Sequence, residues 1–328
     1  NHGFKLIALE NNWEIIKASE DLHSISLQIQ NSLMNKFSLK NGWHNFMDPK
    51  GTNEIKLRLD KIVQKNVISN AYIFYGPENI GKKEIALRFI AEIIKNNNSD
   101  LNAYPKIRDN NYPDYLQIEP TYTFKGNLIK QSEIDKAKNK TTQPLIRIEQ
   151  IRNIKNFLGT KSIRSTKKFI LIENAHLLNE SSSNCLLKTL EEPTNGVFIL
   201  LTSRLNLLLD TIISRCQIIR FKPYSNQELK EFLDQSKSKN RDLILDNELL
   251  ENLIFISNGS PGLLLDNLEL WNQIPENIKH EIKFPLKNYE NILFLAKNIS
   301  SDLDLDQQEF LLNYMQRDWW IRTKNKKI

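Results

Sequence analysis

Residues 76–86 of this 328-residue chain read GPENIGKKEIA. Gly76 and Gly81 flank four residues and Lys82 follows, the G-x-x-x-x-G-K spacing of a loop that wraps a phosphate. The glycines let successive backbone N–H groups converge on an anion at a helix N-terminus, and Lys82 is placed to reach the outer phosphates. The next position breaks the pattern. Lys83 stands where a Ser or Thr hydroxyl would ligate Mg²⁺, so it offers no oxygen and adds positive charge beside the metal position.

Metal-assisted phosphoryl transfer also needs an apolar strand ending in an acid for the metal, then a second acid to activate water. Here FILIE ends in Glu173 and Asn174 follows. Glu173 is able to ligate a metal one methylene out of register, or simply to cap a strand end. Asn174 cannot accept a proton from water and is no general base. The departures at Lys83 and Asn174 both argue against hydrolysis. Glu191 and Glu192 are adjacent carboxylates before Pro193, pointing in different directions at a helix end, and read as structural or interface contacts.

The elements that must position these residues alternate between strand and helix from about residue 52, the mark of a parallel sheet covered by helices. A helix over 54–66 precedes a strand at AYIFY (71–75). The glycine loop leads into a helix with Ile85, Ala86, Phe89, Ile90, Ile93 and Ile94 on one face. Further strands are expected at YLQIEP (115–120), FILIE (169–173), VFILLTS (197–203) and CQIIRF (216–221), with helices at 148–158 and 180–191, the second stopped before Pro193. Residues 121–144, rich in Lys, Thr and Asn, read as a long insertion or mobile loop. Beyond Pro223 only helical spacing remains, at 225–236, 247–257, 261–272, 288–299 and 306–322. Residues 1–45 stand apart, with a short strand, an amphipathic helix carrying Leu22, Ile25, Leu27, Ile29 and Leu33, and a Pro/Gly-punctuated loop at 41–51.

Composition sets outer bounds. The chain is 40% apolar and 26% charged, ordinary for a soluble globular protein. No apolar run reaches membrane-spanning length and no signal peptide opens the sequence, so no membrane partner is expected. Two cysteines, Cys185 and Cys216, are too few for a disulfide framework or a four-cysteine zinc site, and a cytoplasmic location fits best. The sequence opens Asn1-His2-Gly3 rather than on Met, as though its true beginning were missing. A net charge of +6 and a pI near 9.0 permit an acidic partner such as DNA. Lys155, Lys161, Arg164, Lys167 and Lys168 form a basic stretch able to meet phosphates, with an ordinary solvated face as the alternative.

Two blocks are more specific. Asn184-Cys185-Leu186-Leu187-Lys188-Thr189-Leu190-Glu191-Glu192-Pro193 matches N-x-L-L-K-x-L-E-E-P, and Thr211-Ile212-Ile213-Ser214-Arg215-Cys216 matches T-I-x-S-R-C. With GPENIGKKEIALRF and NYPDYLQIEP upstream, they make the chain from about residue 52 resemble the delta-prime family of bacterial DNA polymerase III clamp loaders. The resemblance implies an α/β fold: an AAA+ P-loop core with a parallel sheet (46–223), a helical lid (224–272) and a helical collar domain (273–328), after an N-terminal extension (1–45). It implies a ring of five subunits with ATP at the interfaces, in which Arg215 reaches the nucleotide of a neighbour as an arginine finger. Implied partners are gamma/tau-like ATPase subunits and a delta subunit, with the sliding clamp and primed DNA met through the complex.

Departures from the family pattern refine this. The turn Gly259-Ser260-Pro261-Gly262 is followed by Leu263, where active loader ATPases carry a sensing arginine. Thr202 and Ser203 remain as first-sensor hydroxyls or as a plain strand end. No cysteine lies where relatives place a zinc module, so no metal site is expected. The cofactor-binding positions are therefore a degenerate loop (Gly76, Gly81, Lys82), a degenerate acidic motif (Glu173, Asn174) and Thr202. No cofactor is required, residual ATP binding stays open, and no intrinsic ATPase is expected. The alternative is an active AAA+ ATPase, a loader motor or a helicase. Residues 1–36 resemble the tail of thymidylate kinase, a weaker likeness that would mark a truncated or fused remnant.

Overall fold

The computed structural model describes residues 53–98, 100, 102–124, 127–130, 143–192, 195–237, 246–282 and 289–325. These all fall in one compact unit, Pro49–Ile328. The N-terminal extension and its kinase-tail resemblance lie outside the described residues.

In chain order the elements are α1 (Asn53–Gln64), β1 (Ala71–Tyr75), α2 (Lys82–Asn98), α3 (Ala103–Arg108), β2 (Tyr115–Ile118), β3 (Thr121–Phe124), β4 (Asn127–Lys130), α4 (Ile148–Gly159), β5 (Lys168–Ile172), α5 (Glu180–Glu191), β6 (Gly196–Thr202), α6 (Asp210–Ile213) and β7 (Gln217–Arg220). The helical half follows as α7 (Asn226–Lys237), α8 (Asn247–Ile256), α9 (Pro261–Gln273), α10 (Glu276–Glu281), α11 (Tyr289–Asp302) and α12 (Leu305–Asn325). One-turn 3₁₀ helices sit at Ala175–Leu177 and Leu205–Leu207.

Strands β2-β5-β6-β1-β7, in that order, form a wholly parallel sheet. Its central strands are unbroken apolar runs because both faces are covered, so no polar alternation survives. KFILI and GVFILLT are buried along their whole length. Helix α2 lays the expected face on the sheet: Ile85, Ala86, Phe89, Ile90, Ile93 and Ile94 are all buried, and the Phe89 ring meets Tyr72 edge-on at 5.2 Å. This is the α/β arrangement, a parallel sheet covered by helices and followed by a helical C-terminal part, that the motifs implied.

One segment differs from its sequence reading. Residues 121–130, read as the start of an insertion or mobile loop, carry the antiparallel pair β3–β4. The Lys/Thr/Asn richness of the segment masked the short strands TYTF and NLIK. Thr121 also exchanges two backbone hydrogen bonds with Leu145, at 3.0 and 3.1 Å, returning the chain to the core. The short helices α3 and α10 carried too few turns to show periodicity.

In the helical half, α12 packs across α8 and α9. Arg322 Nη2 lies 2.8 Å from Glu248 and its Nε 2.8 Å from the buried Asp318, which also accepts from Asn252 Nδ2 at 3.3 Å. Trp271 stacks obliquely on Tyr314 at 4.7 Å, and Trp319 Nε1 donates to the Ile282 carbonyl at 3.2 Å. Trp320 stays more exposed.

Candidate functional site: a degenerate phosphate loop and a remote arginine

The loop between β1 and α2 is tied at its start, where Gly76 N donates to the Thr202 carbonyl at 3.2 Å. At its end Gly81 takes φ +94°, a conformation L side chains rarely adopt, so glycine is required there for the chain to enter α2. Lys82 opens the helix with its side chain buried and turned onto its own loop. Its Nζ donates to the Gly76 carbonyl at 2.8 Å and to that of Pro77. Burial pulls its pKa from 10.5 down to about 8, with the nearby Glu78 carboxylate opposing the shift.

Lys83 does more than lack a hydroxyl. Its Nζ lies 2.7 Å from Glu173 Oε1, and Gln117 Nε2 donates to the same oxygen. The Glu173 carboxylate is thus already engaged by an ammonium and an amide. Asn174 takes a left-handed φ of 47° and caps the 3₁₀ turn Ala175–Leu177. Thr202 is fully buried. Its hydroxyl lies 3.2 Å from His176 Nδ1 and accepts from Arg204 N at 3.1 Å. Burial, then the charge of Arg204, lowers the His176 pKa, keeping the ring neutral at pH 7. Ser203 Oγ donates to Glu78 at 3.1 Å.

Helix α9 meets this loop through two hydrogen bonds. Gly262 N at the start of α9 donates to the Asn79 carbonyl at 3.1 Å, and Asn79 Nδ2 donates to Asp266 at 2.8 Å. Leu263 N is taken by the Ser260 cap. Sequence reasoning missed Asn79, Asp266, Gln117 and His176. Asn79 and Asp266 are 187 positions apart, with no local signal linking them.

Arg215 belongs to a different end of the sheet. It follows α6 and lies two residues before β7, whose first residue Gln217 pairs with Tyr72 of the parallel β1. The phosphate loop leaves the other end of β1, about 13 Å away at 3.3 Å per strand residue. Arg215 therefore sits at the opposite end of β1 from its own chain's loop. Its side chain is 39% exposed, with Nη1 donating to the Thr211 carbonyl at 2.9 Å and Nη2 lying 2.7 Å from Glu191 Oε1. Glu192 is held separately, by Lys155 at 2.8 Å, so the paired carboxylates serve two different cations.

That pairing engages one lysine of the basic stretch, of which Lys161 and Arg164 stay exposed. Lys168 is buried, with Nζ donating to the Phe157 carbonyl and to Thr160 Oγ1. Arg164 donates its backbone N–H to Asp114 at 2.6 Å. Burial pushes the Cys216 thiol up to about 12, leaving it unreactive, and Cys185 is also unpaired. Among the described residues no group of three or more His, Cys, Asp or Glu side chains is arranged to hold a metal ion. Nor, among them, is any helix long and apolar enough to cross a membrane.

Residues 227–328 match the model described as cyanobacterial DNA polymerase III delta prime, C-terminal domain. A DNA polymerase III subunit delta' of Pseudomonas aeruginosa is 30% identical over 155 residues, covering 45% of this chain and 42% of that protein. The Bacillus subtilis subunit delta' is 28% identical over 194 residues, covering 56% of this chain and 53% of its own length. The matched stretch thus spans about half of each. A DNA polymerase III subunit gamma/tau of Mycoplasma pneumoniae is 29% identical over 233 residues, covering 70% of this chain and 31% of that protein. Residues 51–225, more than half of the sequence and containing both the glycine loop and Arg215, match the family described as DNA polymerase III, delta subunit, and the chain belongs to that family.

Proposed function

We propose that this chain is a delta-prime-like subunit of the bacterial DNA polymerase III clamp loader, acting in the cytoplasm during DNA replication. It does not hydrolyse ATP itself and supplies Arg215 to the nucleotide of a neighbouring ATPase subunit. The carrying observation is the separation of the two sites. The chain's own pocket has an ammonium paired with the acidic residue at the metal position and Asn174 at the base position, while an accessible guanidinium projects from the far end of the sheet. A planar, permanently charged group suits the charge that develops on a transferring γ-phosphate.

In this reading the partners are gamma/tau-like ATPase subunits and a delta subunit, with the sliding clamp and primed DNA engaged through the assembled complex. The lid, seated on Asn79, ties the C-terminal helices to the loop, which suits a fixed member of the ring. Family membership and the delta' relatives support this reading. The gamma/tau relative supports a second one, an active ATPase.

One experiment separates them. A loader reconstituted with Arg215→Ala should lose DNA-stimulated ATP turnover by about 10³-fold at the interface it serves, the scale of a missing arginine finger. Undiminished turnover and clamp loading would refute the finger role. Magnesium-dependent turnover by the purified chain alone, abolished by Lys82→Ala, would establish the second reading instead.

A further inference from the structure

We propose that Glu191 is the positioning residue of the arginine finger, an inference that rests on the trans role of Arg215. A guanidinium on a long, flexible stem is useful in catalysis only when its orientation is set before the transition state forms. Arg215 is fixed at two points from two elements. The Thr211 carbonyl of α6 takes Nη1 and the Glu191 carboxylate at the end of α5 takes Nη2.

A planar group held through both terminal nitrogens has its plane defined, and each of those nitrogens keeps a second N–H. The Nε–H is also outside these two contacts. The donors left over are what a phosphate oxygen would meet across a subunit boundary, and the exposure of the side chain leaves them reachable.

Glu191 is itself well anchored. It ends α5, where the Glu192 N–H still bonds back to the Lys188 carbonyl at 3.3 Å. The Glu192 carboxylate is drawn the other way, to Lys155 on α4, so it does not compete for Arg215. The two motif blocks that looked separate in sequence are thus one device. The E-E-P block orients the arginine of the S-R-C block.

The test uses the reconstituted loader with ATP and primed DNA, comparing Glu191→Ala, Glu191→Gln, Arg215→Ala and the Glu191→Ala/Arg215→Ala pair. Glu191→Ala should lower kcat about tenfold with KM for ATP unchanged, because orientation is lost in the transition state rather than in binding. Glu191→Gln should keep most activity, since its amide oxygen still accepts from Nη2. The double variant should match Arg215→Ala alone. Wild-type kcat in Glu191→Ala, or losses that multiply in the double variant, would overturn the positioning role while leaving the finger intact. Wild-type turnover in Arg215→Ala would instead remove the finger reading on which it stands.

Discussion

A lysine ammonium taken out of water loses hydration that two loop carbonyls restore only in part. That is the situation of Lys82, and it explains why burial brings its pKa to about 8. Its folded value lies below the unfolded one, so between pH 8 and 10.5 the unfolded chain keeps a proton that the folded chain has released. The contribution of this group to stability therefore rises with pH across that window. Chemical denaturation of Lys82→Met should show a flatter stability slope between those pH values than the parent does. Lys83 carries a different lesson. Its pair with Glu173 is partly exposed, and such pairs contribute about 1 kcal/mol or less. Its weight is positional: it occupies the Glu173 carboxylate beside the glycine loop.

Secondary-structure elements are held in place by a few polar anchors. Asp114, fully buried before β2, accepts backbone N–H groups from Ile163 at 2.8 Å, Arg164 at 2.6 Å and Ser165 at 2.8 Å, and the Ser165 hydroxyl at 3.2 Å. One carboxylate thereby fixes the α4–β5 connection to the sheet edge. Burial works against its charge, but the four donors outweigh burial and hold its pKa below the usual carboxylate range. Its charged form thus stabilises the fold above the unfolded value near 3.8, and that contribution fades as pH falls through the folded value. Asp114→Asn should cost about 2 kcal/mol or more in urea denaturation at pH 7, since fewer charge-assisted bonds remain. The gap between variant and parent should narrow below pH 3.8.

At the scale of the molecule, α9 ties the C-terminal helices to the glycine loop through Asn79. A Cβ at Gly262 would come within 2.4 Å of the Asn79 carbonyl oxygen and 2.8 Å of its Cβ. Alanine is otherwise favoured over glycine in a helix by about 1 kcal/mol, so any disruption by Gly262→Ala reports the contact and not helix propensity. The expected outcome is faster amide hydrogen exchange over 77–82, with the central strands β5 and β6 unchanged. Equal protection of the loop in parent and variant would show that the lid does not hold it.

Much of this was legible in one dimension. The runs AYIFY, FILIE and VFILLTS, the apolar stripe after Lys82 and the Pro193 stop are local signals, because side-chain period and burial are set within a few residues. That Lys83 has no hydroxyl and Asn174 no proton-accepting group needed only residue identity. The β3–β4 hairpin was hidden by composition, and the contacts Lys83–Glu173, Asn79–Asp266 and Arg215–Glu191 were hidden by distance along the chain. Parallel pairing decided the rest. Because β1 and β7 run the same way, the loop after one and the arginine before the other fall at opposite ends of the sheet. No local pattern encodes that direction; it is set by strand register, which only the folded sheet fixes.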